Sequence, residues 1–209
     1  MDKHIRVPNQ TLELKDCTIV HQMLYQTPLF EINIDGIDNR KLEKDIYKLR
    51  ESDKSGVSLS NCGGWHSEIQ HNDNIDLIFK PLINKFGVIL TNLPFYPTIS
   101  NITSLGIWAN INDRYSYNTA HTHPQCDISG VYYVKVPKGD CGKLMFADPR
   151  QSYSYGNRFF VERYTGGEST GRDPIEGNMY LFPSSLEHCV LTNNVDEDRI
   201  SISFNLTVE

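Results

Sequence analysis

Residues 181–206 read LFPSSLEHCVLTNNVDEDRISISFNL. Apolar and polar residues alternate in LFP, in HCVLTN and again in RISISFNL, with Ser, Asn, Asp and Glu between the runs. A period of two is the pattern of a strand with one buried face. The same pattern extends upstream to about residue 88, through VILTNLPF, SLGIWANIN, ISGVYYVKV, KLMFAD and NMYLFP. Each run has 6 to 10 residues, and Gly, Pro, Asn or Asp separates most of them. Many short strands with turn residues between them predict an all-β sandwich or barrel.

Helical periodicity is confined to the first half. Leu42, Ile46, Tyr47 and Leu49 predict a helix over 39–52, after a turn from Asp35 to Arg40. Ile75, Leu77, Ile78, Leu82, Ile83 and Phe86 predict a second helix over 74–87, which Pro81 should kink or split. Residues 11–34 read as strand, and 51–64 as loop. The expected fold is α+β and mainly β, a double-sheet barrel with N-terminal helices packed on it. It forms one domain over 1–209, with strands and supporting helices in 1–87 and the barrel in 88–209. The polar, aromatic and glycine-rich stretch from Gln151 to Gly177 has the length of a functional lid.

The chain has 209 residues, 39% hydrophobic and 22% charged, which is the composition of a folded globule. No apolar run approaches the ~18 residues of a membrane span. The start, MDKHIRVPNQ, has no apolar signal region. Cytoplasmic location is therefore expected, with the five scattered cysteines as free thiols. A net charge of −6 argues against a nucleic-acid partner, and no membrane partner is expected.

His121-Thr122-His123-Pro124 places two imidazoles two residues apart. On an extended segment both point to one face and can converge on one ion. Pro124 puts the pair at a strand end. His188, 65 residues after His123, would complete a three-point metal site from a neighbouring strand. Arg199 and Ser201 share one face of RISISFNL, while Ile200 and Ile202 take the other. An inward guanidinium needs a partner, and its planar fork suits a carboxylate. No internal acid is obvious, which points to a ligand carboxylate. An exposed arginine on an edge strand, or one paired with Asp196 or Asp198, is the alternative.

A distal His followed about ten residues on by Arg-x-Ser resembles the C-terminal signature of the 2-oxoglutarate- and Fe(II)-dependent oxygenases. SNCGGWHS (60–67), WANIN (108–112), HTHP (121–124), SGVYYVKVP (129–137), FADPR (146–150), LFPSSLEH (181–188) and RISISFNL (199–206) are similar to a family of such enzymes in marine bacteria and their phages. These segments run over 60–206, about 70% of the chain. The resemblance implies a double-stranded β-helix, or jelly roll, with Fe(II) on His121 and His188. It implies 2-oxoglutarate as co-substrate, its far carboxylate on Arg199 and Ser201, with Tyr132 touching the same group. The implied reaction couples decarboxylation to succinate with oxidation of a C–H bond, hydroxylation being the default.

The chain departs from the usual His-x-Asp or His-x-Glu at the first motif. His123 as third ligand, a two-histidine site completed by water, and Asp127 all remain open. On a regular strand Asp127 would stand about 13 Å from His123, too far for one ion unless the chain folds back after Pro124. Trp108 and Asn110 share a face and are candidates to line the substrate pocket, as is Trp65 in the glycine-rich turn. The substrate class spans small molecules, amino acids and protein side chains, and a homodimer is compatible with such a barrel. Two rival functions are a three-histidine cupin-type dioxygenase that does not use 2-oxoglutarate, and a non-catalytic binding jelly roll.

Overall fold

A computed structural model describes residues 10–13, 18–21, 27–93, 99–148 and 169–209. Most of the stretch expected to form a lid, 151–168, lies outside the described residues, as does Arg150. The elements are β1 (Gln10–Glu13), β2 (Thr18–His21), β3 (Phe30–Asn33), α1 (Asn39–Ser52), β4 (Asn61–Cys62), β5 (Trp65–His66), β6 (Gln70–His71), α2 (Lys80–Thr91), β7 (Ile102–Asn112), β8 (Tyr117–His121), β9 (Ile128–Lys135), β10 (Leu144–Ala147), β11 (Ser169–Arg172), β12 (Asn178–Pro183), β13 (His188–Val190) and β14 (Arg199–Val208).

Beyond the β1–β2 hairpin these strands form two antiparallel sheets. The larger has the order β3-β12-β9-β14-β7-β5, with β6 also on β7, and the smaller has the order β11-β10-β13-β8-β4. At the centre of the larger sheet, β14 pairs with β7 from Arg199↔Asn112 to Val208↔Ile102, and with β9 on its other side. Strict alternation along β14 sends Ile200, Ile202, Phe204 and Leu206 to one face, all fully buried. That face meets Leu42 and Ile46 of α1 and Leu82, Phe86 and Leu90 of α2 in the main core. Each such side chain, fully buried, stabilises the fold by about 1.5–3 kcal/mol. Arg199, Ser201, Ser203 and Asn205 take the other face, between the sheets. A smaller core of Tyr133, Leu144, Phe146, Tyr180, Phe182 and Leu186 fills the rest of that space. The layers are thus helices, large sheet, inner cavity and small sheet.

The first helix matches its expected span. Asp38 caps it by accepting the Lys41 N–H at 3.0 Å. The second differs. Short 3₁₀ turns occupy 72–74 and 77–79, and the α-helix runs from Lys80 to Thr91 without a break at Pro81. Pro81 lies in the first turn, where a helix N–H has no intrahelical acceptor and a fixed φ is pre-organised. It therefore starts the helix instead of kinking it. The expected 51–64 loop also contributes β4, an edge strand of the small sheet.

Candidate metal centre and its cavity

His121 and His188 are direct partners across β8 and β13. Between this pair and the next, Val190↔Asn118, the register shifts. Three residues of β8 are advanced for two of β13, which is a β-bulge. Asn118 and His121 both line the inner cavity, although unbroken alternation would send residues three apart to opposite faces. The bulge aims His121 inward. His123 follows just past the strand end, where its N–H donates to the Ser184 carbonyl at 2.9 Å.

One ligand atom from each of His121, His123 and His188 lies within 4.8 Å of the others. The Nδ1 of His121 sits 2.7 Å from the Thr119 carbonyl, and that of His188 2.8 Å from the Leu186 carbonyl. A carbonyl only accepts, so each Nδ1 carries the proton and each Nε2 keeps its lone pair for an ion. Burial, with His121 and His188 as neighbours, pushes the His123 pKa down to about 3. Burial also pushes His188 down to about 4. Both rings are therefore held neutral, the form a metal requires. Aromatic rings enclose the cluster. The Phe182 ring centroid is 4.7 Å from His188, Phe146 is 6.3 Å from it, and Trp108 is 6.0 Å from His123. Such a donor set fits a transition-metal ion of the Fe(II) type.

Arg199 faces the same cavity from the large sheet and is 1% exposed. Its Nη1 donates to the Cys141 and Gly142 carbonyls at 2.7 and 2.8 Å. Its buried Nε has no hydrogen-bond partner among the described residues. The two acids considered as alternatives are engaged elsewhere. Asp196 pairs with Arg114 at 2.5 Å, and Asp198 accepts from the Tyr47 hydroxyl at 2.8 Å. A buried, anchored guanidinium with donors left over and no acid beside it among the described residues fits the carboxylate of a ligand.

Of the other residues singled out by sequence, Ser201, Trp108 and Asn110 line the cavity. Tyr132 does not. It lies on the helix side of β9 in the main core, and its hydroxyl donates to Asn39 Oδ1 at 2.9 Å. One residue on, Tyr133 takes the inner face, lines the cavity and pairs in register with Ser201. Burial raises its pKa to about 12. Trp65 is also a core residue, with Nε1 donating to the Asp53 carbonyl at 2.7 Å. Its neighbour His66 is the one turned inward, stacked on Trp108 at 5.5 Å. Asp127 is exposed and caps the end of β14 by accepting the Val208 N–H at 3.0 Å, outside the histidine cluster. Sequence reading missed Ser129, Ser203 and Asn205, which also line the cavity. The parity that paired Arg199 with Ser201 extends to 203 and 205 and was a sufficient signal for those two.

A barrel of two antiparallel sheets with a histidine cluster on one and a buried arginine facing it from the other defines a class, the 2-oxoglutarate- and Fe(II)-dependent oxygenases. Residues 106–205, from within β7 to near the end of β14, match the family model described as "Putative 2OG-Fe(II) oxygenase". Comparison with curated proteins gives no match. Among solved structures, the chain is similar to a Pseudomonas putida prolyl-4-hydroxylase, with a TM-score of 0.58 at 11% identity, covering 89% of this chain and 95% of that one. It is also similar to a viral collagen prolyl hydroxylase from Paramecium bursaria Chlorella virus-1 in complex with 2-oxoglutarate, with a TM-score of 0.57 at 12% identity, covering 85% and 94%. At these identities the likeness is one of fold, the double-stranded β-helix. No helix among the described residues is long and apolar enough to cross a membrane.

Proposed function

We propose that this oxygenase is a hydroxylase in which His121, His123 and His188 hold Fe(II), and Arg199 with Ser201 holds the far carboxylate of 2-oxoglutarate. One observation carries the reading. Three imidazole nitrogens within 4.8 Å of one another share a cavity with a buried arginine that has no acidic partner among the described residues. When bound, Fe(II) would activate dioxygen, the oxidant, with 2-oxoglutarate as the two-electron reductant: one oxygen atom would go into succinate as carbon dioxide leaves, and the other into a substrate C–H bond. The residues supply position and electrostatics. The Thr119 and Leu186 carbonyls fix two imidazoles in the tautomer that presents Nε2. The Cys141 and Gly142 carbonyls hold the guanidinium in place and satisfy Nη1, leaving Nε and Nη2 for the co-substrate. Phe146 and Phe182 pack against His188 and Trp108 against His123, which lowers the polarity around those two rings.

A small-molecule, amino-acid or protein side-chain substrate is consistent with the cavity. Cys62, Cys126, Cys141 and Cys189 are free thiols, which supports a reducing compartment such as the cytoplasm. Anaerobic addition of Fe(II) and then 2-oxoglutarate to the metal-free protein tests the proposal by its visible charge-transfer band. The band should appear only with both and weaken in Arg199→Ala. Retention in His123→Ala would favour the two-histidine site completed by water. Tight Fe(II) binding with no band would favour a three-histidine dioxygenase of another kind. Absence of iron binding would favour a binding jelly roll.

A further inference from the structure

Resting on the oxygenase reading above, we propose that the cavity wall beyond the histidines is a carboxamide subsite: the substrate docks there by an uncharged amide, from a side chain or a peptide bond. The inner face of β14 carries Arg199, Ser201, Ser203 and Asn205 in sequence, spanning about 20 Å. Trp108, beside His123, is the register partner of Ser203, and Phe182, against His188, is that of Ser129, itself paired with Asn205. The histidines therefore stand over the Ser203–Asn205 half of the strand. The co-substrate, reaching from them to Arg199, occupies the other half. The wall left over is Trp108, Ser129, Ser203 and Asn205, with Asn110, the register partner of Ser201, at its border and reaching across to Ser203.

Its hydrogen-bonding capacity is only part used. Ser129 Oγ donates to Asn205 Oδ1 at 2.8 Å and lies 2.8 Å from Ser184 Oγ. The single Ser129 proton goes to Asn205, so Ser184 donates to Ser129. This chain fixes the Asn205 amide and leaves its two N–H donors without a partner among the described residues. Asn110 Nδ2 donates to Ser203 Oγ at 3.1 Å, which leaves the Ser203 proton and Asn110 Oδ1. Donors on β14 thus stand beside an acceptor on β7, next to the flat Trp108 ring. An amide offers the complement: a carbonyl to accept, an N–H to donate, and a plane to lie on the indole.

Charge points the same way. Apart from Arg199, the cavity lining contains no Lys, Arg, Asp or Glu among the described residues. With Arg199 taken by the co-substrate, a carboxylate or ammonium on the substrate would meet no side chain of opposite charge there among the described residues. A hydrocarbon would leave the Asn205 and Asn110 polar atoms unpaired.

The test loads the protein with Mn(II) and 2-oxoglutarate and measures paramagnetic broadening of proton NMR lines from small probes. Acetamide represents the side-chain amide and N-methylacetamide the peptide amide, and the more strongly broadened of the two identifies the source. Propionate, ethylammonium and 1,2-propanediol are the comparison set. An amide should be broadened most, and its apparent affinity should fall at least fivefold in Asn205→Leu. Asn205→Asp, of the same shape but with no N–H donor, should do likewise and guards against misfolding of the leucine variant. Broadening of no amide would overturn the subsite. So would a charged or hydroxyl probe broadened as strongly as the amides and lost in the same variants, or amide broadening unchanged in both variants. Failure of 2-oxoglutarate to bind in an Arg199-dependent way, measured by calorimetry on the same sample, would instead overturn the oxygenase reading.

Discussion

Replacing Arg199 by Met is the sharpest perturbation available. The guanidinium has five N–H donors. Two of them, on Nη1, are held by the Cys141 and Gly142 carbonyls at 2.7 and 2.8 Å. Three remain, on Nε and Nη2, enough for a bidentate grip on one carboxylate. Two charge-assisted hydrogen bonds at about 1.5–3 kcal/mol each give about 3–6 kcal/mol. That is a rise of roughly 10²- to 10⁴-fold in the Kd of 2-oxoglutarate. Metal affinity should change little, because the arginine approaches from the opposite sheet. Arg199→Lys keeps the charge but loses the planar fork, and its Kd should fall between wild type and Arg199→Met. Anaerobic calorimetry of Fe(II)-loaded protein with 2-oxoglutarate gives the values directly. A rise of less than fivefold in Arg199→Met, with the protein folded, would refute the assignment of the far carboxylate to this side chain.

Gly142→Ala should reproduce part of this loss and destabilise the fold by about 2 kcal/mol or more, read by urea denaturation and by the same calorimetry. Gly142 has φ +85°, and a Cβ there would collide with the Leu191 carbonyl and lie 2.9 Å from Arg199 Nη1. Acid should destabilise the metal-free protein. His188 titrates at about 4 when folded against 6.5 ordinarily, because of burial, so the unfolded chain binds the proton first. The neutral ring's contribution, about 3 kcal/mol, is complete above pH 6.5 and is lost as pH falls through about 4. Urea midpoints from pH 7.5 to 4 measure it, and His188→Gln should flatten the slope. Fe(II) or Ni(II) at a thousand times its Kd should add about 4 kcal/mol, raising Tm by about 8–16 °C for a chain of this size. A chelator should reverse the shift in a thermal scan. Tyr132→Phe should cost about 1 kcal/mol of stability through the lost bond to Asn39 and leave 2-oxoglutarate binding unchanged, whereas Tyr133→Phe should weaken binding.

Much of the inner cavity was legible because a strand has a period of two. Parity alone put Arg199 with Ser201, and Trp108 with Asn110, on shared faces, and all four line the cavity. Parity could not say which of Tyr132 and Tyr133, or of Trp65 and His66, faces inward. In each pair one side chain joins the main core on the helix side and the other takes the opposite face, Tyr133 to the cavity and His66 onto Trp108, and both faces are buried. With apolar cores on both sides of the large sheet, hydrophobicity does not distinguish them. Pro81 was misread for a different reason. Its effect depends on whether it stands in the first turn or the interior of a helix, and helix starts are poorly marked where no side chain caps them.

The sequence by itself determined the class of fold, the three histidines and the arginine as chemistry in need of partners, and the face each β14 residue would take. These follow from local periodicity and from the cost of burying unpaired charge. Tertiary structure decided the rest. A register shift between β8 and β13 turned His121 inward to meet His188. The end of β14 drew Asp127 away from the cluster. The loop carbonyls of Cys141 and Gly142 fixed the guanidinium. Each depends on how two segments distant in sequence align across a sheet, and register is set by the summed packing of both faces, which no single stretch of sequence encodes.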